Sequence, residues 1–79
     1  MILNVIKAKH IREYQIQLEF DNGKSVTADL KKTIFEDSRK IFQPLRDVNY
    51  FKNFKIKFNT ITWDNEADFA PEFLLEIGK

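Results

Sequence analysis

Four carboxylates lie close together near the C-terminal end of this chain, in the segment that also contains its only tryptophan. They are Asp64, Glu66, Asp68 and Glu72. Acidic residues at alternating positions can gather oxygen ligands around a hard cation. The helix-loop-helix calcium motif needs glycine at its sharp turn, however, and Phe69 stands there. We therefore favour a structural role, with Asp68 capping a C-terminal helix and Glu72 in its first turn.

The sequence contains few residues that could carry out nucleophilic catalysis. His10 is the only histidine, and Ser25 and Ser38 are the only serines. Neither serine is near His10 in sequence, so a triad is not indicated. We interpret His10 as a surface residue at a strand end. The expectation is a protein without enzymatic activity, cofactor or metal, and an enzyme using the carboxylates is the least favoured alternative.

Lysines and large apolar residues interleave before the tryptophan, in the run Tyr50, Phe51, Lys52, Phe54, Lys55, Ile56, Lys57 and Phe58. Proteins that bind single-stranded nucleic acid use such mixtures of cations and rings. Strand alternation, however, predicts that the rings enter the core and the lysines face solvent. With a net charge of +1 the chain also has no strong field to attract a polyanion. Nucleic-acid binding is therefore disfavoured.

The aromatic residues of the tail are either core or contact residues. Trp63 is interpreted as a core anchor because a chain of 79 residues needs its volume. Exposed aromatics, by contrast, dominate protein interfaces. The candidate partner contacts are Trp63, Asp64, Asp68, Phe69, Glu72 and Phe73.

Composition indicates one small domain, residues 1–79. Eight Phe, two Tyr and one Trp supply a dense core, and the absence of cysteine excludes disulfides and thiolate metal sites. The apolar N-terminal stretch is interrupted at Lys7, too early for a signal sequence or membrane span. A cytoplasmic protein without membrane contact is expected, of unassigned oligomeric state.

Two hairpins and short helices must position these residues. A first strand is predicted over Ile2–Ala8, and Tyr14–Phe20 alternates strictly. Asn22-Gly23, which both tolerate positive φ, should turn the chain into Ser25–Asp29, with Val26 and Ala28 facing inward. The hairpin strands should therefore pair antiparallel.

From Leu30 to Phe54 the apolar spacing of three, four and seven predicts short helical pieces limited by Pro44. A second hairpin is predicted from Phe54–Phe58 and Ile61–Trp63, connected at Asn59-Thr60. Pro71 then fits the first turn of a C-terminal helix. The predicted class is α+β, an antiparallel sheet from two hairpins plus an N-terminal strand, with short helical segments between the hairpins and a C-terminal helical turn.

The order of these elements resembles domain-of-unknown-function family 2442, a group of small bacterial proteins. The similarity rests on Phe20-Asp21-Asn22-Gly23, on Leu45-Arg46-Asp47 leading to Tyr50-Phe51, and on the tail from Ile61 to Glu72. The family tail reads roughly Ile-x-Trp-x-Asn-Gly-Ala-Asp-x-x-Pro-Glu. Here Glu66 replaces the usual glycine, and Leu75 stands where an aromatic is common.

The resemblance implies no established activity. Members occur alone or fused to a helix-turn-helix domain, and free-standing ones are often encoded beside a second small protein, which has prompted toxin–antitoxin proposals. The leading hypothesis is a non-enzymatic protein-interaction domain, antitoxin-like or regulatory, with a protein partner encoded nearby. The alternative is a DNA-associated transcriptional regulator module, although the chain has no room for a helix-turn-helix beside its own fold.

Overall fold

The computed structural model describes residues 3–79 and has an α+β fold, as predicted. The strands form two antiparallel sheets, β1-β2-β3 and β4-β5. In chain order the elements are β1 (Val5–Arg12), β2 (Gln15–Phe20), β3 (Ser25–Asp29), α1 (Lys31–Glu36), 3₁₀ turns at Lys40–Phe42 and Pro44–Arg46, α2 (Val48–Phe51), β4 (Lys55–Lys57), β5 (Thr60–Thr62) and α3 (Pro71–Ile77). Within the described range, no helix has the length and apolar character needed to cross a bilayer.

The first hairpin follows the sequence pattern closely. Its inward residues Tyr14, Ile16, Leu18 and Phe20 are buried, and β2 pairs antiparallel with β3. In the turn only Gly23 has a positive φ, of 87°, and its N–H donates to the Phe20 carbonyl. This is the glycine-bulge form of a three-residue hairpin loop, and it needs only one left-handed residue.

Replacing Gly23 by valine is expected to lower the free energy of unfolding by about 1 kcal/mol or more, because a β-branched residue resists positive φ. A Cβ at this position meets no atom within 4 Å, so backbone conformation alone carries the cost. Gly23→Asn is the matched control and should lose less, since asparagine visits this region more readily. Denaturant unfolding measures both variants, and equal stability of the two would contradict the turn assignment.

The first strand extends further than its sequence predicts. It begins at Val5 and continues to Arg12, whereas the prediction was Ile2–Ala8, of which Ile2 lies outside the described residues. Antiparallel pairing with β2 carries the strand past its apolar run. His10 is consequently not at the strand end: it pairs with Ile16, is half-buried and lies edge-on to Phe51 at 6.1 Å.

Short helical pieces follow, as predicted. Their buried side chains form much of the core: Leu30, Ile34, Phe42, Leu45 and Phe51. Phe35 and Ile41 share the helical spacing but stay 45% and 37% exposed, because such short helices bury only a narrow face. The Arg46 guanidinium donates to the carbonyls of Ile34, Phe35 and Asp37, which closes the C-terminal end of α1.

The second hairpin turns one residue earlier than predicted. Its two-residue loop is Phe58-Asn59, with φ values of 52° and 67°, as a type I′ turn requires. The predicted burial of its apolar residues was wrong at two positions, because Ile56 is 41% exposed and Phe58 89% exposed, whereas Phe54 packs against the core. The hairpin packs through β5, where Thr60 and Ile61 are buried, and β4 remains an exposed outer strand.

The C-terminal helix begins with Pro71 at its first turn, and Glu72 lies in that turn as expected. The predicted cap was wrong. Ala70 occupies the N-cap, no side chain caps the helix, and Asp68 is exposed. Asp68 instead forms an isolated antiparallel bridge with Thr62, because the chain before the helix is extended along β5.

Candidate functional site

The tail loop, residues 63–70, connects β5 to α3 and carries most of the candidate residues. It is anchored by Trp63, which is 3% exposed and donates from Nε1 to the Phe51 carbonyl at 2.7 Å. The indole packs among the rings of Phe51, Phe54 and Phe69 at centroid distances of 5.6, 6.4 and 5.8 Å. Trp63 is therefore a core residue, and it anchors the start of the tail loop to the core.

Hydrogen bonds fix the shape of the tail loop. The Trp63 carbonyl accepts from the Glu66 N–H at 2.9 Å, and the Trp63 N–H donates to the Ala67 carbonyl at 3.0 Å. Asn65 accepts from the Ala67 N–H and donates to the Ile41 carbonyl at 2.8 Å. Glu66 has φ 70°, a left-handed conformation that favours glycine. The loop is thus ordered by its own contacts, with backbone strain at Glu66.

The four carboxylates do not converge. Asp64, Glu66, Asp68 and Glu72 are all exposed, and among residues 3–79 no group of three or more His, Cys, Asp or Glu side chains could hold a metal ion. Asp64 contacts Lys55 at 3.1 Å, but the two side chains are 75% and 57% exposed, so this pair adds little stability. The arrangement offers surface charge and no shared ligand geometry.

One side of the tail loop faces a groove of about 440 Å³ towards the 3₁₀ turns, here called the tail groove. Its large apolar lining residues are Ile41, Phe42, Phe69 and Phe73. Phe69 is 6% exposed and stacked between Phe42 and Phe73 at 5.2 and 6.0 Å, so Phe73 and Ile41 provide the accessible apolar surface. The groove therefore has an aromatic floor with only a small exposed area.

An ion pair borders the tail groove. The Arg39 guanidinium binds Asp37 at 2.7 Å and lies 4.7 Å from the centroid of Phe42. Hydrogen bonds from the Arg39 side chain, and then from its backbone N–H, hold the pKa of Asp37 below its ordinary value. The carboxylate is thus fully ionised at neutral pH and satisfies the arginine locally. Because Asp37 already neutralises Arg39, the tail groove has less positive charge available to bind an anionic ligand.

The opposite side of the tail loop faces a cleft of about 340 Å³ that separates it from β4. Lys55, Lys57 and Phe58 border the cleft on the strand side, and Asp64 and Asp68 on the loop side. Opposite charges face each other across it, so the cleft has no single electrostatic preference. It offers no concentration of one charge that would select a small ion.

The hairpin tip, Phe58-Asn59, lies at the strand side of this cleft and is not among the candidate residues predicted from sequence. Phe58 is 89% exposed although it is a large aromatic residue. The Asn59 carbonyl accepts from the Val5 N–H at 2.9 Å, which ties the tip to the start of β1. A two-residue loop centred between Ile56 and Ile61 was the signal that could have located it, because loop residues of such a hairpin lie outside the core.

The candidate contact residues fall into distinct places. Asp68, Phe69 and Phe73 line the tail groove, and Trp63, Asp64 and Asp68 border the cleft. Glu72 lines neither of these and is exposed on α3. Burial of Trp63 and Phe69 leaves the contact role as a proposal for the exposed members. Phe58, outside the candidate set, has the largest exposed fraction of the large apolar residues within 3–79.

A protein-family model described as "Protein of unknown function (DUF2442)" matches residues 5–79, from the start of β1 to the last residue. The chain belongs to the DUF2442 family. The match includes both hairpins, the tail loop and α3, so every candidate residue above lies within the DUF2442 region. The comparisons with curated proteins and with solved structures returned no match.

Proposed function

We propose that this DUF2442 domain is a non-enzymatic protein-interaction module, the antitoxin-like or regulatory partner of a small protein encoded nearby, and that the hairpin tip is its principal contact. The observation that carries the proposal is Phe58, 89% exposed at φ 52°.

Phenylalanine is unfavourable at this position for the isolated fold in two respects. A left-handed conformation costs a bulky residue about 1–2 kcal/mol, and type I′ turns prefer asparagine or glycine for that reason. An exposed phenylalanine also forgoes the roughly 1.5–3 kcal/mol that burial of its side chain would contribute. Contact with a second protein would bury the Phe58 side chain and so recover this free energy. Backbone strain of this kind is characteristic of binding sites.

The tip is held in a fixed position before any partner arrives. Asn59 is bonded to Val5, and the Thr60 hydroxyl donates to the Phe69 carbonyl inside the core. The Thr62 hydroxyl donates to the Ala67 carbonyl at 2.7 Å. A fixed anchor loses less conformational entropy on binding than a mobile one, so these bonds favour affinity. Exposed aromatic anchors of this type carry much of the energy of protein interfaces.

The test is a stoichiometric complex with the product of a neighbouring gene, captured from the native cell and then reconstituted from purified proteins. Phe58→Ser is expected to weaken the complex at least about tenfold, because an aromatic hot spot is lost. Its free energy of unfolding should remain near that of the unmodified protein, since the ring makes little contact with the core.

Ile11→Ser is the matched control, because Ile11 is also a large exposed apolar residue, at 46%, and lies on β1. It should leave the dissociation constant unchanged. Absence of a complex, or equal affinity of the Phe58→Ser variant, would contradict the proposal. Sequence-specific DNA binding at physiological salt without a partner would replace it with the regulator alternative.

A further inference from the structure

A second apolar depression lies on the outer face of the three-stranded sheet, beside β4. This sheet groove has a volume of about 460 Å³. Its lining includes Ile6, Lys7, Lys9, Gln17, Glu19 and Ile56. None of the sequence-predicted contact residues lines it, and both of its isoleucines are exposed. The groove therefore needs an explanation separate from the tail loop.

A bulge in β1 creates the apolar part of the groove. The register shifts between Val5 and Lys7, so Ile6 has no paired residue on β2. Val5 is buried, while Ile6 and Lys7 are both exposed in succession. Bulges re-aim side chains in this way, and they occur preferentially near functional sites. Ile6 is 53% exposed and Ile56, across the groove, 41%.

The rim of the groove is cationic. Lys7 and Lys9 both line it, against the single carboxylate of Glu19. Among the residues that the structure describes, the ion pairs are Arg39–Asp37 and Lys55–Asp64, so neither rim lysine is engaged in one. Two isoleucines flanked by unpaired lysines fit a ligand that is both apolar and negatively charged.

We infer that the sheet groove binds an acidic amphipathic segment of the partner protein. An apolar side chain of that segment lies between Ile6 and Ile56, and its carboxylates face Lys7 and Lys9. This inference rests on the proposed function and specifies the partner's chemistry. Ile56 is two residues from Phe58 on the same hairpin, so one partner can contact the tip and the groove together.

The lining favours a protein segment over nucleic acid. Single-stranded nucleic acid is held by aromatic stacking platforms in addition to cations. The sheet groove is lined by aliphatic and polar side chains without an aromatic ring. Glu19 would also repel a phosphate backbone, whereas the carboxylates of a protein segment can be spaced to avoid it. An acidic peptide is therefore the better match.

The experiment selects ligands from a library of random peptides displayed on phage, with the folded full-length protein immobilised. Peptides that combine Asp or Glu with large apolar residues should be enriched. Lys7→Glu/Lys9→Glu should weaken a synthetic copy of the most enriched peptide by at least about tenfold, since it places like charges opposite each other. Lys31→Glu/Lys32→Glu makes the same change in net charge on α1, away from the groove, and should have less than about a threefold effect.

The reversal at Lys7 places a glutamate opposite Glu19 on the neighbouring strand, which could disturb folding. Lys7→Gln/Lys9→Gln removes the charges without that repulsion and should still weaken binding, with an unchanged far-UV circular dichroism spectrum. Failure to enrich acidic peptides, or equal binding by both charge-reversal variants, would overturn the inference. Competition by a mixed-sequence single-stranded oligonucleotide at physiological salt would overturn it in favour of nucleic acid.

Each of the two proposals can be contradicted without contradicting the other. A native complex that depends on Phe58 but shows no dependence on Lys7 and Lys9 would leave the interaction module intact and remove only the acidic ligand of the groove. Peptide selection, conversely, does not require the native partner. Its outcome can therefore be obtained even if no complex is captured from the cell.

Discussion

Replacing Trp63 by alanine is expected to lower the free energy of unfolding by about 3–5 kcal/mol, the usual cost of truncating a buried aromatic residue. Trp63 is 3% exposed and packs against three rings. A domain of this size has a total stability on the order of 5–10 kcal/mol, so the variant should be partly or largely unfolded at ambient temperature. Denaturant unfolding measures the loss. It is followed by far-UV circular dichroism, because the substitution removes the only tryptophan and therefore the tryptophan fluorescence signal.

Trp63→Phe is the control for this prediction. It keeps a ring in the core but removes the Nε1 hydrogen bond to the Phe51 carbonyl. An unsatisfied buried acceptor costs about 1–3 kcal/mol, so the loss should be clearly smaller than for alanine. A loss below about 1 kcal/mol for Trp63→Ala would show that the tail loop is not anchored by this residue.

Gly78→Ala is expected to have the second largest effect, a loss of about 1–3 kcal/mol from overpacking. The backbone at Gly78 has φ −73°, which any residue adopts, so conformation is not the reason. A Cβ at this position would lie 2.3 Å from Val26 Cγ2 and 2.5 Å from Val26 Cβ. That approach allows Lys79 to exchange two backbone hydrogen bonds with Thr27, at 3.0 and 3.1 Å, on the edge of β3.

A double-mutant cycle tests the clash directly. Val26→Ala removes Cγ2, so adding it to Gly78→Ala should recover part of the loss, and the two changes should be non-additive. Amide hydrogen exchange at Thr27 provides a second readout, because its N–H donates to the Lys79 carbonyl. Purely additive losses with unchanged exchange at Thr27 would contradict the close approach.

Local sequence predicted the first hairpin because its signals are short-range. Strict alternation from Tyr14 to Phe20 and a glycine suited to positive φ are properties of adjacent residues, and the structure confirms both. Pro71 at the start of α3 is a local signal of the same kind. The cap at Asp68 failed because backbone pairing with Thr62 on β5 keeps that segment extended.

The candidate site was less predictable. Alternation in Lys55–Lys57 correctly predicts a strand, but it does not say whether either face of that strand meets a core. Burial depended on β5, whose Thr60 and Ile61 occupy the available interior surface. Phe58 therefore became the exposed tip, although its residue type predicted burial. Ile6 is exposed because of a bulge, and the residues next to it in sequence give no signal that predicts this bulge.

Sequence by itself determined the α+β class, the family and the two hairpins, because these depend on local periodicity and turn residues. It favoured a core role for Trp63, from the volume that a short chain must bury, and the structure places the side chain there. Only the tertiary structure decided which apolar residues remain exposed to solvent. The inner face of a small sheet is limited in area, so the core does not accommodate every apolar side chain. Phe58 is exposed because it lies in the hairpin loop, Ile6 because a bulge interrupts its pairing, and Ile56 because β4 is an outer strand. The proposed contact surfaces include these three residues.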